Sequence, residues 1–162
     1  MAVKERYGDR DLKWMNHQIV TGVLVYTATN NLLFAAYSMA GAVLPDKMEG
    51  SPRTAKSYWS WRSRHRGWSH WPLLYLMVIG GLFTVEREHL GTDGLWDMST
   101  IAVYMMVGAL LHIFEDALCG KVPFLLPSQK IGIRLFSVGS VREYLVSIGI
   151  VLAAYLLGQW LH

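Results

Sequence analysis

IVTGVLVYTATNNLLFAAYSMAGAVL, residues 19–44, decides the architecture of this chain. The stretch is apolar, with polar interruptions at Thr27, Thr29, Asn30 and Asn31. Taken as one straight helix it crosses a membrane once. Broken at Asn30-Asn31, a pair that favours turns, it goes in and comes back as a helical hairpin. The flanking charges choose between the two. Lys4, Arg6, Arg10 and Lys13 precede the stretch, and Lys47, Arg53, Lys56, Arg62, Arg64 and Arg66 follow it. A single crossing separates these groups and leaves ten Lys/Arg on one side against five on the other. A hairpin unites them and gives fourteen against one, Arg87 alone being opposite. The asymmetry of basic loops across a membrane favours the hairpin. Its two limbs would be short, about 12 residues or ~18 Å each, and would pack re-entrantly against longer helices.

Outward from this stretch, residues 68–85, 98–118 and 144–161 are three further apolar segments, read as transmembrane helices. Residues 45–67 and 119–142 are basic loops, placed by the charge count in the cytoplasm, and 86–97 is a short connection with turn residues Gly91 and Gly94. More than half of the 162 residues are hydrophobic and only 17% are charged, low for a soluble domain. The net charge of +3 then reports membrane orientation, and the segregated basic residues argue against a nucleic-acid binder. The expected fold is an all-α integral membrane protein, a single membrane domain over 1–162. It has three full transmembrane helices plus an N-terminal re-entrant hairpin over 17–44; four transmembrane helices is the alternative. The mixed-sign N-terminus does not read as a cleavable signal peptide. Cys119 is the lone cysteine, so no internal disulfide can form.

Local signals add detail. Asp9 or Asp11 could cap a short interfacial helix before residue 17. Ser69 is a possible N-cap with Pro72 in the first helical turn. Ser140 and Glu143 have capping-box spacing, and Ile131, Ile133 and Leu135 alternate as in a short strand.

The chemistry-bearing residues collect at one membrane surface. His112 and Asp116 are four apart, on one face of the third apolar segment, and ionisable groups inside a membrane helix are costly and usually functional. Glu115 points about 100° away from Asp116 on a helical wheel. His65 and His70 end the loop before the second segment, on the same membrane side because two crossings separate the loops. His17 precedes the first stretch and Asp46 follows it. A straight helix would hold them ~44 Å apart, whereas a hairpin returns them to one surface. His17, Asp46, His65, His70, His112 and Asp116 are therefore candidate ligands of a divalent metal, zinc first, with manganese or iron as alternatives. Six candidates exceed the shell of one catalytic zinc, so two metals bind or some residues orient the ligands. Arg64 and Arg66 are candidate contacts for substrate phosphate. Blander readings exist for each. Arg62, Arg64 and Arg66 suit headgroup anchoring, Trp59, Trp61, Trp68 and Trp71 an aromatic belt, and His112 with Asp116 a hydrogen-bonded pair.

Several of these residues together resemble the YdjM-type membrane-bound, metal-dependent hydrolases of bacterial inner membranes. His65-Arg66-Gly67-Trp68-Ser69-His70 is similar to that family's His-Arg-Gly-x-Thr-His motif, with Ser69 for Thr. Gly41 to Asp46 is similar to its Gly-x-x-x-Pro-Asp segment. His112 to Asp116, followed by Gly120, Pro123 and Pro127, is similar to its His-x-x-x-Asp segment and proline-rich loop. Gly139-Ser140 with Glu143 and an N-terminal His at 17 also match. The family commonly continues Pro-Asp-x-Asp; here that second position is Met48, with Glu49 beside it, so a second metal rests on Glu49. The resemblance implies a hydrolase in the bacterial inner (cytoplasmic) membrane, acting on a phosphoester or phospholipid.

The expected protein is a membrane-embedded metal-dependent hydrolase that takes a small anionic or phospholipid substrate at the cytoplasmic surface, with metal-bound water as nucleophile and membrane lipid as its other partner. The alternative is a non-catalytic, metal-stabilised membrane scaffold or lipid-binding subunit. A transporter is disfavoured because the polar groups lie at one surface and not at the midplane.

Overall fold

Residues 2–50, 61, 65–85, 97–137 and 140–161 are described in a computed structural model of the chain. Helices α1 (Ala2–Thr29), α2 (Leu32–Gly41) and α3 (Leu44–Glu49) come first. A 3₁₀ turn (Trp68–His70), α4 (Pro72–Val85), α5 (Met98–Cys119) and α6 (Val141–Leu161) follow. Between α5 and α6, strands β1 (Val122–Pro123) and β2 (Lys130–Ile131) pair antiparallel, Val122 opposite Ile131. The all-α expectation holds apart from this two-residue ribbon, of which the expected strand supplies only Ile131.

The hairpin is present. α1 and α2 pack on each other and reverse at Thr29-Asn30-Asn31. Asn30 takes φ +50°, a left-handed conformation that Asn tolerates better than most residues. Asn31 caps α2, its Oδ1 accepting from the N–H groups of Leu33 (2.9 Å) and Phe34 (3.3 Å). The first limb differs from expectation. It is the end of one 28-residue helix, not a short limb preceded by a separate interfacial helix. No proline interrupts residues 2–29, so nothing halts helix propagation, and Asp9 and Asp11 fall inside α1 instead of capping it.

Among the described residues, two helices are long and apolar enough to cross a membrane, Met98–Cys119 and Val141–Trp160. The 68–85 segment is a 3₁₀ turn followed by an apolar helix that is shorter than these two over the described residues. Trp71 is extended, as a residue before proline is driven to be, and this separates the 3₁₀ turn from α4. α4 then has 14 residues, only ~21 Å, against a hydrocarbon core of ~30 Å. Pro72 does open it, but Ser69 lies in the turn and does not cap it.

Close helix contact replaces large side chains between α2 and α5. A Cβ on Gly108 would meet the Ser38 carbonyl oxygen at 1.9 Å, and one on Gly41 the Met105 carbonyl oxygen at 1.9 Å. The backbones can approach only because both positions are glycine, the small-residue packing typical of membrane helices. Ser38 Oγ donates to the Tyr104 carbonyl at 3.0 Å across the same contact. α4 lies on the other flank of α5, and α6 on α1. The resulting bundle buries a group of ionisable side chains beside its apolar core and exposes many large apolar side chains. His17, His70, His112, Glu115, Asp116 and Glu143 are buried, whereas Met77, Phe83, Leu145, Leu152 and Leu156 are exposed. Water would penalise this arrangement; a bilayer favours it.

Candidate metal centre

The interior polar groups gather at the end of the bundle opposite the α1–α2 turn. α3 brings Asp46, the 3₁₀ turn brings His70, and the last turns of α5 bring His112. Ligand atoms of these three lie within 4.8 Å of one another. His70 Nε2 is 3.4 Å, and His112 Nε2 3.8 Å, from Asp46 Oδ1. Donors on a tetrahedral ion with bonds near 2.0–2.1 Å stand about 3.4 Å apart, so the spacing is close to that of a filled site. His70 Nε2 and both nitrogens of His112 are buried without a hydrogen-bond partner among the described residues. Buried polar atoms rarely stay unsatisfied; a cation at their common focus satisfies them. The residues therefore fit a divalent ion.

The outer nitrogens are held. His70 Nδ1 meets Ser69 Oγ at 2.9 Å and Glu49 Oε1 at 3.1 Å. His17 Nδ1 meets Glu115 Oε2 at 2.8 Å, and its Nε2 faces Asp116 Oδ1 at 3.9 Å. An oxygen behind the imidazole fixes which nitrogen looks inward, the device that orients metal-binding histidines generally. The indole of Trp14 does the same for Asp46, donating to Oδ2 at 2.9 Å and leaving Oδ1 to the centre.

Glu49 organises this layer. It accepts from Ser69 Oγ (2.6 Å) and Gly67 N (3.2 Å), and it contacts both His65 and His70. Three residues on from Asp46, it lies on the same face of α3, while Met48 is exposed. Burial would raise its pKa, but the hydrogen bonds from His65, His70 and Ser69 hold it well below the usual carboxylate range. Burial likewise opposes ionisation of Asp46, and the imidazoles of His70 and His112 reverse that, lowering its pKa. For His70, burial alone would lower the pKa; the carboxylates of Asp116, Asp46 and Glu49 outweigh it and push it up to about 10. The three carboxylates thus give the cluster a negative potential at its centre, which favours a cation.

The other expected ligands take different places. Asp116 Oδ2 is 3.3 Å from His70 Nε2 and 3.8 Å from His112 Nε2, at the rim of the focus. Both its oxygens are engaged by Arg66, Nε to Oδ2 and Nη2 to Oδ1, each at 2.8 Å. His17 stands behind Asp116 with its ring tilted against that of His112, centroids 4.4 Å apart. His65 lies one layer out, on Glu49 at 2.5 Å and against Trp61. Arg66, expected to contact substrate, is directed inward; its backbone takes φ +58°, and a Cβ on Gly120 would collide with its Nη1 at 1.9 Å. Arg64, the other expected phosphate contact, lies outside the described residues. Ser140 and Glu143 follow their own geometry too. Ser140 Oγ has no partner among the described residues, and Glu143 accepts from Asn16 Nδ2 of α1 at 3.4 Å.

Two participants lay outside the expected ligand set. Glu49 was legible only as a neighbour of the acidic position that Met48 occupies. Glu115 seemed to face away, and does face away from Asp116, but α1 supplies His17 on that side. The signal that finds both is the same i, i+3 spacing, Asp46 to Glu49 and His112 to Glu115.

The segment between α5 and α6 folds back on the end of α5 and on the start of α4. The N–H groups of Ile133 and Leu135 donate to the Ala117 and Leu118 carbonyls at 2.9 and 2.7 Å, satisfying the end of α5. Trp71 Nε1 donates to the Phe124 and Leu125 carbonyls at 3.1 and 3.2 Å, tying the ribbon to the start of α4.

Compared with known families, the family described as YdjM inner membrane protein matches over residues 14–161, nearly the whole chain. No curated protein and no solved structure matches it.

Proposed function

The chain belongs to the YdjM inner membrane protein family, and on that premise we propose that it is a membrane-embedded, metal-dependent hydrolase of phosphoesters, with phospholipid the leading substrate class. One observation carries this reading. Asp46, His70 and His112 offer buried ligand atoms within 4.8 Å of one another, and three of the imidazole nitrogens have no other partner among the described residues. Two imidazoles and a carboxylate are three protein ligands, the pattern of a catalytic zinc site with a position left for substrate. A zinc ion held there would supply Lewis acidity, activating water and polarising a phosphoryl oxygen at neutral pH.

The chain's own residues do the rest. Trp14, Glu49 and Ser69 hold Asp46 and His70 in register for the ion. Arg66 holds Asp116 in place at the rim through both carboxylate oxygens. His17, with Nδ1 on Glu115 and Nε2 toward the centre, is placed to carry a proton to or from the reacting group. His65 steadies Glu49 from outside and is not needed as a ligand.

The test is hydrolysis by the full chain in lipid nanodiscs. Phosphoester release should fall at least about 100-fold on chelation and return with zinc. Full metal content with no turnover on any phospholipid offered would instead support the non-catalytic scaffold. The proposed cytoplasmic face has its own check. Cysteines placed by Lys4→Cys and Lys56→Cys in a Cys119→Ser background should both react with an impermeant reagent from the cytoplasmic side. Reaction from opposite sides would rule out the hairpin's membrane topology.

A further inference from the structure

A cleft of about 550 Å³ opens beside the metal centre, between the end of α5 and the start of α6. Cys119, Arg134, Phe136, Ser140 and Arg142 are among the residues lining it. Neither Arg134 nor Arg142 has an ion-pair partner among the described residues. The Ser140 hydroxyl is buried there without a hydrogen-bond partner among them. The cleft also receives the N-terminus of a 21-residue helix, whose first N–H groups point away from the helix body. Two guanidinium groups and a hydroxyl without partners among the described residues, together with a helix N-terminus, line one space, with no carboxylate among its lining residues.

We propose that this cleft binds a phosphate group of the substrate, as a lipid headgroup or as a free phosphate. The inference deepens the hydrolase reading and rests on it for what becomes of the bound group. It reassigns the substrate contact from Arg66, whose guanidinium is engaged by Asp116, to Arg134 and Arg142. The cleft reaches the centre through Cys119, whose Sγ lies 3.3 Å from Arg66 Nη2 and 3.9 Å from Asp116 Oδ1. Cys119 alone therefore stands between the cleft and Asp116, at the rim of the centre. Exposed Leu135 and Val141 complete the lining, so the walls suit a group that is anionic at one end and apolar at the other.

The experiment uses the native thiol as reporter, because Cys119 lines the cleft and is the lone cysteine of the chain. Its alkylation rate is measured on the full chain, in detergent with inorganic phosphate and in nanodiscs of phosphatidylcholine with or without phosphatidic acid. A ligand in the cleft should slow alkylation severalfold. Slowing by both probes marks a general phosphate site; slowing by phosphatidic acid alone marks a headgroup site. Either supports the proposal if Arg134→Gln with Arg142→Gln weakens the protecting probe about tenfold or more. The double variant should keep the parent's metal content and unliganded alkylation rate, and Lys130→Gln, outside the cleft, should leave protection intact. Should the double glutamine variant fail to fold, Arg134→Ala alone replaces it, with the same weakening expected. No slowing by either probe, or slowing indifferent to the arginines, overturns the proposal. Arginine-dependent protection in a chain that holds no metal would leave the cleft standing and remove the hydrolase reading.

Discussion

His112→Ala is expected to leave the purified protein nearly free of metal, at or below about a tenth of the parent's content, with affinity reduced at least about 100-fold. The residue is one of the three proposed ligands, so its loss leaves two, and losing even a supporting residue costs 10–100-fold. It also lies where no rearrangement replaces it. The side chain is 1% exposed, its two nitrogens have no other hydrogen-bond partner among the described residues, and α5 is fixed against α2 by backbone contact at Gly108. The fold should survive with reduced stability, because the helix contacts of α5 with α2 and α4 do not involve the His112 nitrogens. Elemental analysis of protein purified without chelator reads the result, with elution volume as the check on folding. Unchanged stoichiometry would end the metal proposal. Glu49→Gln is the milder companion. It keeps the shape but weakens the hold on His70 Nδ1, so affinity should fall within the 10–100-fold range of a supporting residue.

Arg66→Ala should destabilise the protein by about 3–5 kcal/mol, the usual consequence of removing one member of a buried ion pair. The pair is two-pronged and well covered, with side chains 14% and 6% exposed. Alanine leaves the Asp116 carboxylate among neighbours that include Glu115 and Asp46, with only the imidazoles to compensate. Thermal unfolding in detergent should shift down by about 10 °C. Arg66→Lys should recover only part of this, since an ammonium keeps the charge and loses the planar fork. Arg66→Met with Asp116→Asn should be less destabilised than Arg66→Ala, because no uncompensated charge remains. If Arg66→Ala unfolds at the parent temperature, the guanidinium is free for another role, and its original assignment to substrate phosphate returns. Added zinc should stabilise the parent more than the His112→Ala variant, by the linkage of binding to folding.

Much of the architecture was legible because membrane insertion leaves coarse marks. Apolar length marks α5 and α6, and the distribution of Lys and Arg marks the reversal at Asn30-Asn31. Helix boundaries were less legible. The 68–85 segment looked continuous in hydropathy, yet the residue before Pro72 breaks it into a turn and a short helix. α1 ran on to residue 2 because polarity changes along a helix without ending it. Arg66 shows the limit for side chains. In the sequence it belongs to a basic run, and nothing local says that its backbone turns left-handed and sends the guanidinium inward to Asp116, fifty residues later.

What the sequence by itself determined is the polar content of the site and the end of the bundle where it collects. The asymmetry of basic residues between the loops argued for a reversal at Asn30-Asn31, and a histidine or aspartate in an apolar segment has few tolerable places to go. Only the tertiary structure decided the ranking within that set. Asp46, His70 and His112 share the focus, Asp116 and His17 stand at its rim, and His65, Glu49 and Glu115 hold the others from behind. The physical reason is that a ligand differs from a supporting residue by an ångström or two and by the direction of one ring nitrogen. Those quantities are set by helix contacts such as Gly108 on Ser38 and by long-range hydrogen bonds such as Trp14 to Asp46, which spacing along the chain does not encode.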